Sequence, residues 1–199
     1  MNNLKEVDLI LLQSSFLSLW HSVYDIHFAE EYAEAIVSKG IKGINFLINH
    51  SPVSNIVQLR GTIFALGNQN EVDVSDFLYK YLYDSNPLLI SETIDALSKL
   101  NNTDKTNVIK SYLQNHPNEY VKGSVLRYLY KIGDKDIFNI LSTSLFNTNA
   151  IVRENAADLL DELGEDKAIP ILLQALKLEN NSDAKQAIKT ALQNIIYLM

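Results

Sequence analysis

One leucine recurs through this chain at a nearly fixed step. Leu66, Leu97, Leu129, Leu160 and Leu192 stand 31 or 32 residues apart, and Ile36 fills the same slot in the segment upstream. A second set, Leu82, Leu113, Leu145 and Leu176, keeps the same step independently. Two apolar series in phase over most of a chain mark an internal repeat, and a period in this range marks a solenoid. Around each leucine of the first set, apolar residues fall at helical rather than strand spacing. A pair of helices with apolar residues on two sides is unable to bury both alone, so neighbouring pairs must stack to share one core.

The breaks keep the same interval. His50-Ser51-Pro52, Asp84-Ser85-Asn86-Pro87, Asn115-His116-Pro117-Asn118, Asn147-Thr148-Asn149 and Asn180-Asn181-Ser182 carry turn chemistry between the units. Inside the units, Gly133 and Gly164 sit where a left-handed residue closes a helix. Asn101 takes that place after Leu97. Asp134 and Asp166 are placed to cap the helices that follow. The unit around Leu66 departs most, with Gln69 where leucine is expected. The first segment, Leu4–Trp20, carries Leu4, Val7, Leu11, Leu12, Phe16 and Leu19 at helical spacing and is expected to cap the array, with a turn at His21–Ile26. The apolar end Ile195-Ile196-Tyr197-Leu198-Met199 is expected to pack as a cap at the other side.

The most regular unit is Ala150–Leu176, AIVRENAADLLDELGEDKAIPILLQAL. Val152, Arg153, Ala156, Ala157, Leu160, Leu163, Gly164, Ala168, Pro170 and Leu172 fit the pattern V-R-x-x-A-A-x-x-L-x-x-L-G-x-x-x-A-x-P-x-L. This resembles the HEAT-like repeat of phycobilisome-lyase type. The resemblance implies an all-α, right-handed α-solenoid of about five to six helix pairs with terminal capping helices. The expected organisation is a single domain over 1–199, with a cap at 1–26, repeats near 27–50, 54–83, 87–114, 118–146 and 149–178, and a cap at 183–199.

The resemblance also implies that the helix starting at Val152, and its equivalents, line the concave surface. Positions three, seven and ten residues into these helices then face a partner. Among them are Glu30, Glu34, Arg60, Phe64, Asp95, Arg127, Tyr130, Glu154, Asp158 and Asp161, along with the small residues Gly67, Ser91, Ser98 and Gly123. Both ends of this series are acidic and the middle is mixed. Phe64, Arg127 and Tyr130 are of the residue types that anchor interfaces. Tyr128 falls in a core slot, while Tyr79 and Tyr83 share a helix face.

Composition narrows the chemistry. The net charge is −7 and the sequence pI is about 5.0, so a phosphate backbone or an anionic membrane repels the chain as a whole. There is no cysteine, which removes disulfides and thiolate chemistry and suits a reducing cytoplasm. The run Leu9–Leu12 is too short for a signal peptide or a membrane span. His27 with Glu30 or Glu31 has metal-ligand spacing but lacks further ligands, so no metal and no cofactor is expected. No phosphate-binding glycine loop or nucleophile motif is present. Asp158 and Asp161 read as solvated surface rather than as a general acid–base pair.

The reading that follows is a non-catalytic solenoid that binds another protein, not nucleic acid or membrane. Small acidic bacterial repeat proteins resemble immunity proteins or antitoxins that sequester a basic toxin, such as a nuclease, and this is the expected role. The alternative that the resemblance implies is a phycobilisome-lyase-like or regulatory scaffold subunit.

Overall fold

The structure, a computed structural model, describes residues 4–18, 26–50 and 55–197. Leu19, Trp20, the turn at residues 21–25, the break at Ser51-Pro52, and Leu198-Met199 lie outside the described residues. All regular structure among the described residues is helical. The chain forms two compact units, Met1–Thr103 and Asp104–Met199.

The first unit holds α1 (Leu9–Ser18), α2 (Ile26–Val37), α3 (Ile41–His50), α4 (Ile56–Gly67), α5 (Ser75–Tyr79) and α6 (Pro87–Lys99). Short 3-10 turns precede α1 at Leu4–Glu6 and extend α5 at Lys80–Tyr83. The second unit holds α7 (Thr106–Asn115), α8 (Glu119–Lys131), α9 (Ile137–Ser144), α10 (Ala150–Leu163), α11 (Ile169–Leu178) and α12 (Ser182–Tyr197), with a 3-10 turn at Asp166–Ala168. In each unit the same rule of packing holds. First helices of successive pairs lie directly on one another, α2 on α4 and α4 on α6, then α8 on α10 and α10 on α12. This is the α-solenoid arrangement, and the repeated leucine is its spine. Ile36, Leu66, Leu97, Leu129 and Leu160 are fully buried and Leu192 nearly so.

An asparagine sets the start of each first helix from α4 onward. Asn55 accepts from the amides of Val57 and Gln58, Asn86 from Leu88, Asn118 from Tyr120 and Val121, Asn149 from Ile151, and Asn181 from Asp183 and Ala184. Each satisfies helix donors that have no partner within the helix. From the second of these caps onward, the cap's own amide is also held, by a side chain two residues before it. Asn86 donates to Asp84, Asn118 to His116 Nδ1, Asn149 to Asn147 and Asn181 to Glu179. These paired caps recur at the repeat interval and fix the entry angle of the helices they start.

The helix ends follow the expected chemistry with one substitution. Gly133 and Gly164 adopt φ of 67° and 63°, and Asn101 adopts 51°. After α4 no residue turns left-handed. Gln69 closes the turn instead, burying its amide in the following loop. Its Nε2 donates to the carbonyls of Leu66 and Val72, and its Oε1 accepts from the amides of Glu71 and Val72. The register around Leu66 therefore holds although the leucine is missing. Asp134 and Asp166 do not cap α9 and α11. Asp134 accepts from the amide of Asp136 and pairs with Lys110 at 3.0 Å, while Asp166 opens a 3-10 turn.

Arg153, the arginine of the repeat motif, ties one loop of the second unit to the next. Its Nε and Nη2 donate to Glu179 at 2.6 and 2.8 Å, and its Nη1 donates to the carbonyls of Asn147 and Thr148. The Glu179 side chain is 2% exposed. The Arg153 hydrogen bond, followed by the amides of Asn181 and Asn180, holds its carboxyl at about 2 against the opposing effect of burial. At the other end of the chain, Leu12 and Phe16 are buried, but Leu11 is 59% exposed. The expected single helix from Leu4 is broken before Leu9, so Leu11 falls about 100° away from the Leu12 stripe and points to solvent.

Candidate protein-binding surface

The side chains expected on the partner face sit on α2, α4 and α6 in the first unit and on α8 and α10 in the second. The small residues in that series are not on it. Gly67, Ser91, Ser98 and Gly123 are buried. A methyl group on Gly67 would stand 2.7 Å from Ala96 Cα, and one on Gly123 would meet the Asn155 amide at 3.2 Å. Gly67 and Gly123 fall where one first helix touches the next, and the residue there is small because the backbones come close.

In the first unit several of these side chains are engaged within the chain. Arg60 donates to Glu92 at 3.2 Å, Asn68 donates to Glu34 at 2.9 Å, and Lys99 lies 4.1 Å over the Phe64 ring. Phe64 is therefore half-buried beneath a cation rather than open to an aromatic partner. Burial pushes the Glu92 carboxyl up. Arg60 opposes that shift, and Asp95 and Glu30 add to it. Glu30 also lies 3.6 Å from His27. Glu92 was not among the expected residues. Its place three positions before Asp95 on the same helix is the sequence signal for it.

In the second unit the balance is different. Arg127 is exposed and braced, with Nη1 donating to Asn155 at 2.8 Å and Nη2 to Ser124 at 2.8 Å. Beside it α10 presents Glu154, Asp158, Asp161 and Glu162. Among the described residues, no lysine or arginine forms an ion pair with any of the four. Partial burial pushes the Asp158 carboxyl up, and repulsion from Glu154, Asp161 and Glu162 pushes it further. Asp161 accepts from Asn194 at 2.7 Å. The Tyr130 hydroxyl is hydrogen-bonded to Glu162, and burial with that neighbouring charge raises its pKa. Asn155 and Glu162 were not among the expected residues. Glu162 follows Asp158 by one helical turn, which is readable in sequence, whereas Asn155 is identified only by its contact across to α8.

The tyrosines divide by environment. Tyr128 is fully buried and its hydroxyl lies 2.7 Å from that of Thr106. Tyr79 donates to Asn102, and Tyr83 is 66% exposed. Among the described residues no three His, Cys, Asp or Glu side chains come together as a metal site, and no helix is long and apolar enough to cross a membrane.

Comparison with known proteins agrees with this architecture. Residues 106–193 match the model of HEAT repeats. The chain superposes on the crystal structure of an engineered protein with a TM-score of 0.55 and 18% identity, over 99% of this chain and 98% of that one. It also overlaps the complex of CpcE and CpcF of phycocyanin lyase from Nostoc sp. PCC7120, with a TM-score of 0.49 and 18% identity over 97% and 92% of the two chains, a likeness too loose to argue from. No protein of curated function matches the sequence. The fold is that of a repeat scaffold. Its second unit carries HEAT-like repeats.

Proposed function

We propose that this protein is a non-catalytic scaffold that captures a basic protein on the face of α10, and that its role is to neutralise that partner as an immunity protein neutralises a toxin domain. The observation that carries this reading is the set Glu154, Asp158, Asp161 and Glu162. Four carboxylates repel one another there with no lysine or arginine of the described chain paired to them. Lysine or arginine side chains from a partner would relieve that repulsion at contact. An acidic face on a chain of net charge −7 also speeds encounter with a basic protein and covers a cleft built for phosphates. Tyr130 borders the carboxylates and would supply the less salt-sensitive part of the contact. A cysteine-free chain is suited to carrying out this role in the cytoplasm.

Affinity capture from the host, followed by binding measured against salt, tests the reading. The expected partner is basic and its affinity falls as ionic strength rises. A neutral or acidic partner, or an affinity indifferent to salt, would reject it. The alternative of a lyase-like or regulatory scaffold subunit rests on the repeat pattern at Ala150–Leu172 and would show as a bilin absorbance band on mixing with chromophore.

A further inference from the structure

The turns that hold the amide of their capping asparagine do so with the side chain two residues earlier, and in one turn that side chain is a histidine. Asp84 and Glu179 offer carboxylate oxygens and Asn147 offers an amide oxygen. Oxygens of these kinds accept throughout the neutral range. In the turn before α8 the acceptor is His116 Nδ1, 3.1 Å from the Asn118 nitrogen. A backbone N–H can only donate. This ring nitrogen therefore presents its lone pair, and the proton of the neutral ring sits on Nε2. Asn118 in turn accepts from the amides of Tyr120 and Val121 at 3.0 and 3.3 Å and starts α8.

A second proton on the ring goes to Nδ1. It turns the acceptor into a donor aimed at the Asn118 N–H. It also brings a positive charge to a helix N-terminus, where the helix dipole disfavours it. Histidine is the ordinary side chain that changes charge between about pH 5 and pH 8.

The surroundings leave this imidazole open to that change. His116 is half-buried, so solvent protons reach it. On α7, Tyr112 lies 5.5 Å away ring to ring, and Lys110 is paired with Asp134 beyond the other end of α8. At the start of α8, Glu119 and Lys122 pair with each other at 3.2 Å, and Tyr120 is exposed. Helix α9 carries no titratable side chain. On α10, Arg153 is engaged with Glu179 and with the carbonyls of Asn147 and Thr148. Among the described residues no carboxylate is ion-paired with His116.

We propose that His116 is a pH switch on the start of α8: its neutral imidazole holds the Asn118 cap, and its protonation releases that cap. The helix it acts on carries Arg127 and Tyr130, beside the α10 carboxylates. The switch belongs to the chain itself and does not depend on any partner.

The test uses the full ¹⁵N-labelled chain. A long-range ¹H–¹⁵N spectrum at about pH 8 should show neutral His116 with its proton on Nε2. Exchange protection of the Asn118 amide, taken relative to an unstructured chain at each pH, should fall about threefold to tenfold between pH 8 and pH 5. The Asn149 amide, which Asn147 holds in the same way, should keep its protection and serves as the internal control. His116→Asn places that same arrangement before α8, so the Asn118 amide should then stay protected at both pH values. A proton on Nδ1 in the neutral ring, constant protection of Asn118 in the wild type, an equal fall at Asn149, or an undiminished fall in His116→Asn would each overturn the proposal.

Discussion

At the scale of single residues, two carboxylates of the second unit respond to acid in opposite directions. Glu179 is held at about 2 by Arg153 and two backbone amides, so its ionised form stabilises the folded state. That stabilisation is complete above the ordinary carboxylate range and is lost as pH falls toward 2. Glu179→Gln should cost about 3 kcal/mol at neutral pH, the low end for breaking a buried ion pair because the Arg153 side chain remains 17% exposed. The cost should shrink in urea melts run below pH 4. A cost that stays constant with pH would mean that packing, not the charge pair, accounts for it. Asp158 has the reverse sign. Its carboxyl is raised by burial and by Glu154, Asp161 and Glu162, so its ionised form works against folding at neutral pH. Asp158→Asn should leave the melting temperature equal or slightly higher at pH 7 and make no difference at low pH. A clear drop at pH 7 would show that Asp158 has a stabilising partner.

At the scale of elements, the repeat is written in side-chain caps as much as in leucines. Gln69 is the sharpest case. A repeat consensus would replace it with leucine, and its four hydrogen bonds say otherwise. Gln69→Leu should destabilise the protein by roughly 1–3 kcal/mol, because four backbone groups lose partners, three of them at Glu71 and Val72. A neutral or stabilising effect in thermal melts would return that loop to the consensus.

The helices, their order and their spine were legible in the sequence because an apolar slot repeated every 31 or 32 residues has few three-dimensional solutions. The asparagine cap was visible only as part of a polar break. Its function became clear once Asp84, His116, Asn147 and Glu179 were seen to hold the cap amide in turn. The clustering of charges on the proposed partner face was legible only in part. Spacing put Glu154, Asp158 and Asp161 together, but the same arithmetic sent Gly67 and Gly123 outward when they lie between helices. Spacing gives an angle around one helix; it does not give the distance to the next helix, which is what buries a small residue. Ion pairing was not legible either. That Lys99 lies over Phe64 while α10 lacks a matching base follows from contacts between repeats.

At the scale of the whole molecule, the constant repeat step argues that residues 1–199 are one domain. On that proposal, heating the full chain gives a single calorimetric transition with equal calorimetric and van't Hoff enthalpies. Two transitions would make Met1–Thr103 and Asp104–Met199 separate domains.

The chain carries a net charge of −7, and on α10 four carboxylates, Glu154, Asp158, Asp161 and Glu162, have no lysine or arginine paired to them among the described residues. The central claim is that this excess is there to meet a basic partner. Calorimetric titration of the captured partner into the wild-type chain and into Asp158→Lys, Asp161→Lys measures it most directly. The affinity of the reversed variant is predicted to fall by about tenfold or more, and by less at high salt, with little change in melting temperature. Undiminished binding by a variant that melts like the wild type would contradict the account.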